Sequence, residues 1–373
     1  MIKVLHCYKT YYPDTFGGIE QVIYQLAEGG FKSGIESVVF THSPEFEKKN
    51  DRLDNHQIHR VKTQCEFAST PFSYSAIQEF RELAHDADII HYHFPYPFMD
   101  FMHFAAGIKK PSVVSYHSDI VKQKVLLKLY TPLMNRFLSS VDRIVAASPN
   151  YVESSPILQQ FKEKVEVIPY GLDKQFYQNN DPTVLQKWHA KFPDGFFLFI
   201  GTFRYYKGLH ILIEAAKNSL YPIVVVGAGP IEAELKAQAQ QLGVDNIYFL
   251  GALEDSEKSA LLQLCTCLVF PSHLRSEAFG ISLLEGALYS KPLISSEIGT
   301  GTTFINIDRV TGLVVPPSNP VALRKAMDQI WQNPDMAMTY GAAALARFEA
   351  LFTADKMIES YTELYKSLLQ SDF

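Results

Sequence analysis

Short apolar runs alternate with longer amphipathic stretches along most of the chain. In the first half the short runs are Lys3–Cys7, Ser37–Thr41, Asp88–His93, Ser112–Tyr116, Arg143–Ala147 and Val165–Ile168. Runs of this length and character predict parallel strands buried on both faces. Between them lie stretches of helical period such as Ile19–Phe31 and Leu126–Ser139. The pattern then restarts with Phe196–Gly201, Pro222–Gly227, Asn246–Leu250, Cys267–Phe270, Pro292–Ser295 and Leu313–Val315. Strand and helix in strict alternation, twice over, predict an α/β protein with two Rossmann-like doubly wound domains facing across a deep cleft. The connecting turn is expected at Ile168-Pro169-Tyr170-Gly171-Leu172-Asp173, where Pro and Gly punctuate the pattern. This gives a first domain over 1–172 and a second over 173–352. The remainder, 353–373, carries a helical pattern over Thr353–Leu369 with no strand after it. It is expected to pack back on the first domain.

Length and composition agree with this division. A chain of 373 residues with 47% hydrophobic and 20% charged residues is long enough for two cores and polar enough to stay folded and globular. The net charge of −6 gives no support for a nucleic-acid partner. Cys7, Cys65, Cys265 and Cys267 show no zinc spacing, and four unclustered cysteines suit a reducing compartment. No apolar run is long enough to cross a bilayer, and Met1-Ile2-Lys3-Val4 opens directly on a strand pattern. The expected location is cytoplasmic, at most peripheral at the inner face of the membrane.

In open parallel sheets the ligand lies beyond the carboxyl ends of the strands, so the polar residues that follow strands directly are the candidates. Gly17-Gly18 opens a helix after the first strand. Glycines there let backbone approach a ligand, and the helix start offers free N–H groups to an anion. A plain glycine-rich turn is the alternative, favoured on the two glycines alone. His117 follows Ser112–Tyr116 and is either a group for a sugar hydroxyl or developing charge, or a structural histidine among twelve. Arg204 and Lys207 follow Phe196–Gly201 just before a helix, where two cations suit a diphosphate leaving group better than a solvated turn. Gly227 and Gly229 form a small-residue turn that suits a base or ribose lying against backbone. The richest stretch runs from Pro271 to Ala287. Glu277 falls in its loop, Gly280 permits a sharp turn, and the amides of Phe279, Gly280, Ile281 and Ser282 lead the next helix. Glu285 falls within that helix, among apolar neighbours that argue against simple solvation.

In this order and spacing the elements resemble glycosyltransferase family 4, which has the GT-B fold. The segment Ser276-Glu277-x-Phe279-Gly280-x4-Glu285 is similar to the family's E-x7-E motif. The likeness runs on through Gly17-Gly18-Ile19-Glu20, His117, Pro169-Tyr170-Gly171-Leu172-Asp173, Lys207-Gly208, Gly227-x-Gly229-Pro230 and Lys291-Pro292-Leu293-Ile294. The resemblance implies that Arg204 and Lys207 hold a donor diphosphate, Glu277 the donor sugar and Glu285 the ribose. It sets Gly18 near the phosphates, His117 near the sugar and Leu253 beside the base. It also implies retention of anomeric configuration without a metal or other cofactor, by a same-face route in which the leaving phosphate helps deprotonate the acceptor. One departure stands out. Many relatives carry Arg directly after the glycine at 201, where this chain has Thr202, and Arg204 is taken to supply the charge.

The acceptor falls to the first domain. Val121–Phe137 sets Lys122, Lys124, Lys128 and Arg136 among apolar residues. Such a basic amphipathic helix suits an anionic membrane surface, and somewhat better a core-packed helix with a solvated face. The membrane reading implies a lipid-linked saccharide acceptor, as in bacterial surface-polysaccharide assembly, and the run Phe203–Gly208 looks most like the GDP-mannose users, with a UDP-sugar as the next alternative. Two readings compete: a GT-B sugar-nucleotide epimerase or phosphorylase, and a non-catalytic nucleotide-sugar binding protein. Both carboxylates, Glu277 and Glu285, are present, which argues against the second.

Overall fold

The computed structural model describes residues 1–15, 17–45, 49–68, 70–120, 124–177 and 181–370, without the side chains of Lys124 and Val125. Two compact units divide the chain, one of Met1–Gly171 with Ala354–Phe373, the other of Leu172–Thr353. Each is taken by itself.

In the first unit the described strands are β1 (Ile2–Cys7), β2 (Ile35–Ser43), β3 (Asn50–Leu53), β4 (His56–Lys62), β5 (Cys65–Phe67), β6 (Thr70–Phe72), β7 (Ile89–Phe94), β8 (Ser112–Tyr116), β9 (Arg143–Ala146) and β10 (Val165–Val167). Eight of them form one sheet in the order β10-β9-β8-β7-β1-β2-β4-β3. All its pairings are parallel except β3 with β4. β5 and β6 pair separately as a small antiparallel ribbon. The order reverses between β1 and β7, which makes that gap the topological switch point.

The region from β3 to β6 was not expected from the apolar pattern, and β4 shows why. Its residues His56, His59 and Arg60 are buried, so it does not read as an apolar run. Each polar group is satisfied by a partner: His59 by Asn50 and Glu79, and Arg60 by Asp51 and the Tyr12 carbonyl. His56 bonds to Tyr11 and to Glu28. Burial without loss of hydrogen bonds is what allows these residues in a sheet interior.

The second unit holds β11 (Phe197–Ile200), β12 (Ile223–Val226), β13 (Ile247–Gly251), β14 (Cys267–Phe270), β15 (Leu293–Ser296) and β16 (Gly312–Val315). They form an all-parallel sheet in the order β13-β12-β11-β14-β15-β16. The switch point lies between β11 and β14. Phe197, Phe199, Val225, Cys267 and Ile294 pack one face of this sheet against the helices Leu209–Ala216 and Pro320–Gln332. Cys265 caps the helix Asp255–Leu264 and Cys267 begins β14, both buried.

The last helix, Ala354–Gln370, belongs to the first unit. It buries Met357, Tyr361, Leu364 and Tyr365. Gly29, on the helix Gly18–Lys32, has no room for a Cβ because Ile358 fills that space. Among the described residues no helix is long and apolar enough to cross a membrane.

The helix Ile281–Leu288 is anchored by Leu283 and Leu284, both fully buried. Leu284→Ala is expected to destabilise the second unit by about 2–5 kcal/mol, from lost burial and the cavity left behind. Thermal unfolding would show this as a lowered midpoint.

Candidate active site

Two loops flank the switch point of the second unit. One follows β11 and carries Thr202 to Gly208; the other follows β14 and carries Pro271 to Gly280. They touch through Gly208, whose φ is +73° and whose missing Cβ would collide with the carbonyl oxygen of Pro271. Only glycine fits there, for backbone conformation and for space. The Tyr206 carbonyl then accepts from the His273 amide at 2.9 Å, and the Tyr205 carbonyl accepts from His273 Nε2 at 3.0 Å. Ser282, at the start of the helix Ile281–Leu288, donates to the Ile200 carbonyl at 2.9 Å and ties that helix to the end of β11.

This contact brings Lys207 and Glu277 together. Their side chains form an ion pair and are only 13% and 10% exposed. Glu277 also accepts from the Ser272 hydroxyl at 3.3 Å, and the Lys207 ammonium sits 4.8 Å over the Phe270 ring. Burial by itself would lower the Lys207 pKa. Glu277, Tyr206 and Glu285 together outweigh burial, so the net shift is upward. Lys207 is therefore a firm cation. Glu285 accepts from the Tyr177 hydroxyl at 3.0 Å. Burial raises its pKa, and the opposing pull of Lys258, Tyr177 and Lys207 does not cancel the rise. Arg204 stands exposed on extended backbone at the head of the turn Tyr205–Lys207, and Thr202 is exposed as well.

The other predicted donor residues of this unit sort by what surrounds them. Gly280 has φ +99° and its α-carbon faces the Phe270 ring. Phe279 is buried and fills the space where Gly301 would carry a Cβ. Ile281, which begins the helix, and Leu253, which follows β13, are both half-buried. A Cβ on Gly227 would strike the Gly201 carbonyl, and one on Gly229 the Phe203 backbone. Phe203 N–H donates to the Ala228 carbonyl at 2.9 Å. These two glycines thus admit the chain's own loop after β11, a requirement that exists before any base or ribose arrives.

In the first unit, Gly17 is the N-cap of the helix Gly18–Lys32. Its α-carbon lies against the Glu20 carboxylate, which accepts from Thr10 at 2.9 Å and Thr15 at 2.7 Å. Glu20 braces the glycine turn from behind. His117 follows β8 and is buried. Its Nδ1 lies 2.5 Å from the Tyr170 hydroxyl and its Nε2 lies 2.9 Å from His93 Nδ1. Both nitrogens are committed, and burial lowers its pKa to about 3. The sequence reading missed His6, His91 and His93 as neighbours of His117. The spacing His91-x-His93 at a strand end was the available signal, since alternate residues share one face of a sheet.

Of the basic stretch Val121–Phe137, Val121, Lys122 and Gln123 lie outside the described residues, as do the side chains of Lys124 and Val125. The helix Lys124–Ser140 exposes Leu126, Lys128, Leu129 and Arg136, while Met134 and Phe137 are buried. Arg136 lies 4.6 Å over the Phe104 ring.

A buried cation paired with a carboxylate at one switch point, beside a second buried carboxylate and an exposed arginine, is a set of groups suited to an anionic, hydroxyl-rich ligand. Comparison with known proteins decides the family. Residues 16–176 match the model of Glycosyltransferase Family 4, and residues 182–347 that of Glycosyl transferases group 1. The chain is 54% identical to O-antigen chain mannosyltransferase C of Escherichia coli, over 99% of this chain and 100% of the relative. The chain belongs to glycosyltransferase family 4. It is also 57% identical to the D-rhamnosyltransferase WbpZ of Pseudomonas aeruginosa, over 95% of this chain and 93% of the relative. HepE from Anabaena, solved in complex with UDP and glucose, superposes with a TM-score of 0.79 at 19% identity, covering 98% of this chain and 100% of that one. This family-4 enzyme is accordingly a hexosyltransferase with two Rossmann-like domains of the GT-B type.

Two stability measurements test the second-unit site. Lys207→Met leaves Glu277 buried and unpaired and is expected to cost about 3 kcal/mol. Adding Glu277→Gln to it should recover part of that loss, which a double-mutant cycle by thermal unfolding would read. Glu285 works in the other sense. Its folded pKa lies above its unfolded value, so the unfolded chain ionises first as pH rises and wild-type stability falls across that interval. Glu285→Gln should therefore raise the melting temperature at pH 7, and the advantage should vanish below the ordinary glutamate pKa.

Proposed function

We propose that the enzyme transfers a D-manno-configured hexose, with retention, from a GDP-linked donor to a lipid-linked saccharide during O-antigen assembly. The observation that carries this reading is near-full-length identity above one half to two transferases, one named for mannose and one for D-rhamnose. D-rhamnose is 6-deoxy-D-mannose, so the two sugars share the configuration at every ring carbon and differ only at the exocyclic C6. The loop Phe203-Arg204-Tyr205-Tyr206-Lys207-Gly208 supports a GDP donor.

In this reading the bond from the anomeric carbon to the diphosphate breaks, and one to the acceptor oxygen forms on the same face. The acceptor proton passes to the departing phosphate. Lys207, held as a cation, and Arg204 offset the charge that builds on the diphosphate. Glu277 binds sugar hydroxyls as well as fixing Lys207, and Glu285 binds the ribose. Phe279, Gly280 and Ile281 lead a helix whose amides face phosphate. Gly227, Gly229 and Leu253 shape the nucleoside end. From the first unit we assign His117 to the transferred sugar and Gly17 and Gly18 to the phosphates. Two cations in this role leave no task for a divalent metal, so turnover is expected to survive EDTA.

The exposed pair Leu126 and Leu129 beside Lys128 and Arg136 supports docking of the first unit on an anionic bilayer. This would keep the enzyme near a lipid-linked acceptor at the inner face of the membrane.

A donor panel tests the donor. GDP-mannose or GDP-D-rhamnose should be consumed in the presence of acceptor, and turnover of UDP-sugars without GDP-mannose would refute the assignment. Glu277→Ala should lower kcat by about 10²–10³-fold. The anomeric coupling of the product, read by NMR, tests retention. Leu129→Glu should weaken sedimentation with phosphatidylglycerol vesicles while leaving turnover of a water-soluble acceptor unchanged.

A further inference from the structure

His117 belongs to a line of buried rings that the proposed chemistry does not by itself require. The line starts at the Tyr170 hydroxyl, 2.5 Å from His117 Nδ1. It continues from His117 Nε2 to His93 Nδ1 at 2.9 Å, and from His93 Nε2 to His6 Nδ1 at 3.2 Å. The rings of His93 and His117 stack with centroids 5.2 Å apart and planes 7° from parallel. His6 and His93 are the last residues but one of β1 and β7, and His117 and Tyr170 follow β8 and β10. The line thus crosses the strand ends at the switch point of the first unit.

Burial holds His6 and His117 down at about 3 and His93 well below the ordinary histidine value. Each ring then carries one proton and one lone pair. A hydrogen bond between two such rings must join an N–H to a lone pair. Three rings in line therefore admit two proton arrangements. Either all three carry the proton on Nε2 and Tyr170 donates to His117, or all three carry it on Nδ1 and Tyr170 accepts. Mixed tautomers would leave two N–H groups, or two lone pairs, facing each other in a dry core.

Of the groups around the line, His56 acts on His6 in the same direction as burial. Tyr8 stands edge-on to His93 and His117, and His91 stacks 4.3 Å from His93. His91 bonds to Tyr365 and Ser115, both at 2.7 Å, and Tyr361 bonds to Ser115. Asp119 accepts from Tyr116 and Ser155. The ring nitrogens of His6, His91 and His93 lie within 4.8 Å of one another. Both nitrogens of His91 and of His93 take part in these hydrogen bonds, and His6 takes part through Nδ1.

We infer that His93 and Tyr170 are positioning residues that hold the His117 imidazole uncharged, in one tautomer and one plane, through a line of hydrogen bonds ending at His6. The inference rests on the role proposed above for His117 beside the transferred sugar. A neutral ring there does not oppose the positive charge that develops at the anomeric carbon, and a fixed ring needs no reorganisation during transfer.

The test pairs a spectroscopic readout with kinetics on the full-length enzyme. With ¹⁵N-labelled histidine, the imidazole shifts of His6, His93 and His117 should report one common neutral tautomer at pH 7. Tyr170→Phe, which removes a single hydroxyl, should disturb that tautomer and lower kcat about tenfold with little change in donor KM. His93→Gln retains a donor and an acceptor and should keep more activity than His93→Ala at matched thermal stability. Mixed tautomers, a charged ring at pH 7 or a stoichiometric bound metal would each overturn the inference. So would a Tyr170→Phe enzyme with wild-type kcat. His117→Ala with full transfer activity would instead refute the role of His117 in transfer, while the common tautomer would still stand as a property of the fold.

Discussion

The close approach of Gly208 to the Pro271 carbonyl is the constraint on which the Lys207–Glu277 cluster of the second unit depends. A parallel sheet separates β11 from β14 by one strand spacing, and the loops after them diverge unless something holds them together. A backbone with no Cβ, in a conformation that other residues rarely adopt, lets the first loop lie on the second. Lys207, one residue earlier, is then delivered to Glu277, five residues beyond Ser272. The ion pair follows from the backbone contact and not the reverse.

That pair carries a cost that binding can recover. Two charges taken out of water are stabilised mainly by each other. A diphosphate would offer Lys207 a second anion, and sugar hydroxyls would offer Glu277 new donors. Glu285 differs, since its burial raises its pKa and so opposes the ionised form in the folded chain. Groups held against their own preference are common where a site is built for a ligand and not for stability alone. The first unit solves the problem differently. Its switch point gathers histidines and tyrosines that neutralise nothing and satisfy one another by hydrogen bonds.

Much of the framework was legible in the chain. Strands buried on both faces announce themselves as apolar runs, and the twelve runs read from the pattern all coincide with strands of the two sheets. The stretch from Ser276 to Glu285 stood out because its two carboxylates fall among Phe, Gly, Ile, Leu and Ala and match the spacing of a family motif. What stayed hidden was polar burial. β4 does not look like a strand interior, because its histidines and arginine are made acceptable only by partners distant in sequence. The same holds for His93 and His117, separated by 24 positions and joined by one bond.

The sequence by itself thus determined the alternation of elements, the location of the glycine turns and the charged residue types that follow the strands. These are local matters, set by period, by backbone freedom and by side-chain chemistry. Only the tertiary structure decided which of those residues meet. It paired Lys207 with Glu277, filled the space at Gly227 and Gly229 with the chain's own loop, and spent both nitrogens of His117 inside one unit. Such pairings depend on strand order across a switch point, and strand order is a property of the folded sheet that no local stretch of sequence contains.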